Sequence, residues 1–211
     1  MAQQAPSDFV PPNRSLSLAL IPLGIGINIA IGTIVLLLKL PIYLDAIGTL
    51  IVTMLVDLRA GLATAVLTQV LAGYLVNPVL PYFIPTSAAI ALYIHVVNTR
   101  GAFRSMWRAI PAGIGLGLVS GVISAPIIVY VFGGVVATGR SVVTAYLLST
   151  GERIMNAVVY SGMAAEPIDK TLQCLLAVWL LRGVPAGLVA HFQGRTSMPA
   201  RHYGFDPFLS P

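Results

Sequence analysis

Charge is scarce in this chain of 211 residues, at 9%, and cysteine occurs once, as Cys174. One cysteine excludes an internal disulfide and every zinc, haem or iron–sulfur site that needs several thiolates. It sits within an apolar helix, so Cys174 reads as a small buried hydrophobe rather than a reactive thiol. Only His95, His191 and His202 represent histidine, and no nucleophile stands beside any of them. GxSxG, HExxH and paired Cys/His patterns are missing, which leaves catalysis without support. A GxxxxGK[ST] phosphate loop is missing too, so the chain does not power work by hydrolysing ATP itself. The expectation is a protein that is not an enzyme and carries no cofactor and no metal.

What fills the chain instead is apolar. Hydrophobic residues make up 57% and mean hydropathy is +0.88, against roughly 45–50% apolar and about 25% charged in a soluble domain. The composition predicts an all-α membrane protein, because a span needs roughly 20 apolar residues and the chain has room for about six. Apolar length places spans at 16–38, 44–58, 60–77, 82–97, 109–132 and 168–181. The segment 141–162 is also apolar but holds Glu152 and Arg153 at its middle. Each charge would cost about 2.5–3.5 kcal/mol at the bilayer centre, so the segment reads as a helical connection at one surface, with a seventh span as the alternative. Residues 1–15 form a retained polar segment, too unlike a cleavable signal to be removed. Residues 185–211 form a tail of no assigned function.

Basic residues orient the bundle, since cytoplasmic loops retain Lys and Arg. Six spans with the N-terminus inside put Arg14, Arg59, Arg100, Arg104, Arg108, Arg182, Arg195 and Arg201 in the cytoplasm. Only Lys39, Arg140, Arg153 and Lys170 fall outside. The expectation is a multi-pass protein of the plasma (inner) membrane with both termini cytoplasmic. A net charge of +5 is then explained by lipid headgroups and calls for no nucleic acid.

That orientation gathers the remaining polar residues on the outer half. Asp45 opens the second span; a carboxylate there faces a cavity, or simply favours the helix N-terminus. Asn77 and Tyr82 sit in a turn stiffened by Pro78, Pro81 and Pro85, which either presents an amide and a phenol or only joins two spans. Glu166, Asp169 and Lys170 share one helix face by their spacing. With Pro167 in the first turn, they read either as a helix start or as the wall of a polar site. Glu152, Arg153 and Asn156 line the same site or pair among themselves. Among small residues, Gly26 and Ala30 in the first span and Gly113, Gly117 and Gly121 in the fifth allow close helix approach. Trp107 and Trp179 are expected at the membrane interfaces.

Three segments, PIYLDAIGTL at 41–50, DLRAGLATAVLTQVLAGYLVNP at 57–78 and EPIDKTLQCLLAVWLL at 166–181, together with length and helix number, resemble the substrate-binding S-components of energy-coupling factor (ECF) transporters. The resemblance spans about residues 16–184. It implies a six-helix domain that binds a vitamin or related micronutrient in an outward pocket, closed by the loops after spans one, three and five. Asp45, Asn77, Tyr82, Asn156, Glu166, Asp169 and Lys170 are the substrate-binding candidates on that reading. It also implies docking, through small residues of the first helix, with a membrane coupling subunit that bears two ATPase subunits. The family's usual AxxxA there is represented by Gly26 and Ala30. Two rival readings are a membrane ligand-sensor domain, which calls for a cytoplasmic signalling module, and a self-sufficient secondary transporter. The latter calls for an ion-coupling or inverted-repeat arrangement, and no internal repeat stands out.

Overall fold

The computed structural model describes residues 14–40, 42–134, 140–151, 153–185, 189 and 192. Most of the terminal segments 1–15 and 185–211 and Glu152 lie outside the described residues. Within them the chain is all helical: α1 (Arg14–Leu37), α2 (Ile47–Leu55), α3 (Leu58–Leu75), a 3-10 turn (Leu80–Phe83), α4 (Ile84–Thr99), α5 (Met106–Phe132), α6 (Arg140–Ser149) and α7 (Ile154–Arg182). Four stretches are long and apolar enough to cross a bilayer: Ser17–Leu37, Leu58–Leu75, Leu80–Thr99 and Met106–Phe132. The protein is an all-α membrane bundle.

Two of the six expected spans take other forms. The second, expected over 44–58, is the nine-residue α2. It rises about 14 Å, less than half of the roughly 30 Å hydrocarbon core. Eight of its residues are buried, because α1, α3, α4 and α7 all pack around it. Leu50 and Met54 of α2 anchor a core with Ile90, Ile94, Ala112, Leu116 and Ala177, and Cys174 lies in it fully buried. The last span, expected over 168–181 behind a helix start at Pro167, is instead the rear half of the 29-residue α7. Pro167 lies inside this helix. Prolines are tolerated there when a neighbouring helix packs closely enough to support the interrupted backbone. Gly117 of α5 provides that approach, since a Cβ at Gly117 would collide with the backbone of Glu166 and Pro167. Gly113 meets the Thr171 backbone in the same way. The small residues of α5 therefore serve packing within the bundle.

The segment expected as a surface connection also divides. Its first part is α6, ten residues long and too short to span, whereas residues 154–162 belong to α7.

Glycine contacts fix α5 and α7 as antiparallel neighbours, with Gly113 at Thr171 and Gly121 at Gly162 and Glu166. Trp107 in the first turn of α5 and Trp179 in the last turn of α7 therefore share one end of the bundle. Both are exposed, at 81% and 63%, as befits residues that settle at a headgroup layer. Arg104, Arg108 and Arg182 flank the same end.

One buried amide ties three helices. Asn28 of α1, 2% exposed, donates from Nδ2 to Thr49 Oγ1 at 2.9 Å and Thr68 Oγ1 at 3.1 Å. Its Oδ1 accepts the Gly48 N–H at 2.7 Å. That N–H belongs to the first turn of α2, where no earlier carbonyl is available to it. Removing the amide strands it in an apolar interior, at a cost of about 1–3 kcal/mol beyond the bonds themselves. Asn28→Ala is expected to lower the thermal unfolding midpoint in detergent by several degrees, and an unchanged midpoint would refute this bridging role.

Candidate functional site

Five helices and two connections enclose a cavity of about 140 Å³. Its wall draws on the C-terminal halves of α1 (Asn28, Gly32, Val35), α3 (Thr68, Gln69, Ala72) and α5 (Ser124, Ile128), the start of α4 (Thr86, Ser87, Ile90), and Glu166 and Lys170 of α7. The segments 42–46 and 76–83 complete it with Tyr43, Asp45, Asn77 and Phe83. All these parts meet away from the end marked by Trp107 and Trp179.

The segment between α1 and α2 is held by side chains of α7 rather than by regular backbone pairing. Asp169 is fully buried and its Oδ1 accepts the N–H groups of Tyr43 (2.9 Å) and Leu44 (3.0 Å). Its Oδ2 accepts Lys170 Nζ at 2.7 Å and Gln173 Nε2 at 2.8 Å. Gln173 Oε1 in turn accepts the Ala46 N–H at 3.1 Å. Leu44 adopts a φ of +50°, a left-handed conformation that costs a non-glycine residue on the order of 1–3 kcal/mol. It persists because successive N–H groups turned towards one carboxylate oxygen form a small anion-binding concavity.

Lys170, 3% exposed, also reaches Asp45 Oδ1 at 3.3 Å and stands 5.7 Å from the centre of the Tyr43 ring. The Asp45 side chain is 34% exposed. It makes no capping bond to α2, whose N-cap is Ala46, and it lines the cavity. Glu166, 5% exposed, accepts Ser120 Oγ at 2.9 Å. Across the cavity, Gln69 gives Nε2 to Ser87 Oγ at 2.6 Å, and Asn77 Oδ1 accepts the Val79 N–H at 3.1 Å, closing the turn after α3.

Of the seven substrate-binding candidates, Asp45, Asn77, Glu166 and Lys170 line this one cavity. The other three stand elsewhere. Asp169 is absent from the wall, its oxygens consumed by the loop and its neighbours. Tyr82 is 55% exposed and packs edge-on against Phe132 with ring centres 5.3 Å apart. Its neighbour Phe83 faces the cavity instead. Asn156 is exposed in the first turn of α7, apart from the lining residues, because α7 begins well before Glu166. The triad 166, 169 and 170 is thus mid-helix and buried, not a helix start.

Polar wall residues inside the apolar runs escaped the candidate set: Asn28, Thr68, Gln69, Thr86, Ser87 and Ser124. Gln69 carried a usable signal, since an amide in a membrane helix requires a partner or a cavity. The threonines and serines carried little, because their hydroxyls can bond to their own helix backbone. Thr86 Oγ1, however, is buried without a hydrogen-bond partner. Among the described residues no group of three His, Cys, Asp or Glu converges to hold a metal ion.

Comparison with known proteins brings no family model, curated protein or solved structure that matches the chain.

Proposed function

We propose that this chain captures a small solute in the membrane and hands it to separate energy-supplying subunits, as S-components of ECF importers do. The observation that carries the reading is a largely apolar cavity studded with polar side chains, among them Asn28, Asp45, Gln69, Asn77 and Lys170, at one end of the bundle, with the segments 42–46 and 76–83 in its wall. A cavity gathered at one end of the bundle suits capture better than conduction. Solutes of this kind are vitamins or related micronutrients. No chemistry on the solute is required, so the reading is not that of an enzyme.

The partners on this reading are a membrane coupling subunit and two ATPase subunits. Exposed Gly26 and Ala30 on the outer face of α1 offer the docking contact, since no atom lies within 4 Å of a Cβ built at Gly26. The arginine-flanked end with Trp107 and Trp179 faces the cytoplasm by the retention of basic residues on that side. The cavity then opens outward, and the protein sits in the plasma membrane with both termini inside.

Native mass spectrometry of the purified chain is expected to find a small molecule that travels with it. Gln69→Ala and Asn77→Ala should each weaken its binding about tenfold, the equivalent of about 1.4 kcal/mol for a lost polar contact, measured well below the unfolding midpoint of each variant. Unchanged affinity in both would remove the cavity as the site. Uptake into proteoliposomes by the chain alone would favour the secondary-transporter reading, and ligand-dependent control of a kinase would favour the sensor.

A further inference from the structure

Unspent hydrogen-bonding capacity gathers on one wall of the cavity. On the α7 side the ionic groups have partners within the protein: Lys170 Nζ bonds Asp169 at 2.7 Å and Asp45 at 3.3 Å, and Glu166 takes the Ser120 hydroxyl at 2.9 Å. The side built by α3 and α4 differs. Gln69, 6% exposed, lines the cavity and gives one Nε2 hydrogen to Ser87 Oγ at 2.6 Å. A primary amide has a second such hydrogen, and an oxygen with two lone pairs. Neither the second N–H nor Oε1 of Gln69 has a partner among the described residues.

Among those residues, the fully enclosed side-chain oxygens left without a partner are those of Thr86 and Thr171. Gln69 Oε1 is not sealed in as they are, so it opens on free space, and the space beside Gln69 is the cavity. Ser87 accepts from Gln69, and its own hydroxyl hydrogen reaches no acceptor among the described residues. An unmet acceptor therefore stands beside unmet donors, all on uncharged groups. Unpaired polar groups in an apolar interior are rare, and each calls for an explanation such as an absent ligand. The bond to Ser87 also restrains the plane of the amide before any solute arrives, which lowers the entropy lost on binding.

Three kinds of polar edge can be set against this wall. A carboxylate brings only acceptors and turns an oxygen against Oε1. An ammonium brings only donors and leaves the Ser87 hydroxyl and the Gln69 N–H unanswered. A group with N–H and C=O side by side answers both. Size limits what can carry it, since an apolar cavity of about 150 Å³ holds one benzene ring and this one measures about 140 Å³. Phe83, Ile90 and Ile128 give that ring apolar surface.

We propose that the cavity selects a single-ring solute whose edge carries N–H and C=O side by side, as in a carboxamide, a lactam or a cyclic urea, and pairs that edge with the Gln69 amide. The assignment rests on the reading of this cavity as the solute site. It accounts together for the unmet acceptor and donors on Gln69 and for the unused hydroxyl hydrogen of Ser87.

Three probes of one ring and nearly one size test it on the purified chain in lipid nanodiscs: benzamide, acetophenone and benzoate, titrated by calorimetry with empty nanodiscs as the blank. Acetophenone keeps the ring and the carbonyl and replaces the amide nitrogen with a methyl. Benzamide is expected to bind about tenfold or more tighter than acetophenone, because the methyl leaves the Gln69 oxygen shut off from water and unpaired. Benzoate is expected to bind more weakly than benzamide as well. Gln69→Met, which nearly keeps the side-chain volume and removes its hydrogen-bonding groups, should bring benzamide down to the affinity of acetophenone. Should that variant not fold, the order of the three probes on the parent decides by itself. Acetophenone or benzoate binding as tightly as benzamide, or a preference for benzamide that survives Gln69→Met, would overturn the edge assignment and leave the cavity as a solute site. Failure of all three to bind would overturn both readings.

Discussion

Asp169→Ala is expected to unfold far more readily than the parent while the composition of the cavity wall stays the same. The carboxylate accepts four hydrogen bonds, two from the backbone of Tyr43 and Leu44 and two from Lys170 and Gln173. Truncation leaves a buried ammonium with, among the described carboxylates in ion-pair range, the 3.3 Å contact to Asp45, and removing one partner of a buried ion pair costs about 3–5 kcal/mol. For a chain of this size that corresponds to a fall in midpoint of roughly 10 °C. Asp169→Asn should rescue little, since its amide turns donors towards Lys170 and Gln173, which are themselves donors. Adding Lys170→Met to Asp169→Ala separates the two roles in a double-mutant cycle. The stranded charge disappears, and whatever deficit persists belongs to the freed N–H groups of Tyr43 and Leu44. A single variant that melts with the parent would show that the loop is held by other means.

This outcome differs from what the sequence suggests for Asp169, and the reason shows how far a sequence can be read here. Apolar run lengths located most of the helices, because lipid and core demand the same residue types over the same lengths. They misjudged α2 since burial inside a bundle and burial in lipid look alike in composition, and a nine-residue helix wrapped by four others needs no full span. They misjudged α7 because Pro167 reads as a helix start, and only the glycines of α5, remote in sequence, make it tolerable mid-helix. The same limit applies at the site. Asp45, Asn77, Glu166 and Lys170 converge because a polar group in an apolar helix must face something polar. Whether that something is a cavity or another part of the protein is a matter of tertiary register. Asp169 and Lys170 are adjacent, yet one is spent on the loop and the other reaches the wall. Tyr82 and Phe83 divide similarly, the phenol outward and the phenyl inward.

Electrostatics and architecture converge on the same short segment. The residues at 43, 44 and 46 are pinned through their backbone N–H groups to Asp169 and Gln173, which fixes the course of the segment that brings Tyr43 and Asp45 to the cavity. Asp45 is the one position between them whose N–H is not used this way. Its carboxylate is held at a fixed distance from Lys170 by neighbours on both sides. Such preorganisation reduces the entropy lost when a solute binds, which is how a site with few polar contacts retains affinity.

A single substitution made at two glycines is expected to act with opposite sign. At Gly48 the added methyl would meet the carbonyl and Cα of Gly24 inside contact distance, and backbone cannot yield as a flexible side chain can. Helices α1 and α2 must part, and the 2.7 Å bond from the Gly48 N–H to Asn28 lengthens with them. Overpacking of this kind costs about 1–3 kcal/mol, to which the weakened bond adds, so Gly48→Ala should lower the midpoint by several degrees. It should also weaken solute binding, because Asn28 and Thr68 belong to the cavity wall. At Gly26 the same methyl meets nothing, and the reduced freedom of the unfolded chain contributes about 0.4–1 kcal/mol in favour of the fold. Gly26→Ala should therefore melt at or above the parent and bind solute normally. Gly26→Leu then isolates the outer face of α1: fold and binding persist, whereas assembly with a coupling subunit is lost on the docking reading. Retained assembly would move the docking contact to another face, and a loss of solute binding in Gly26→Leu would mean that this face is not separate from the cavity.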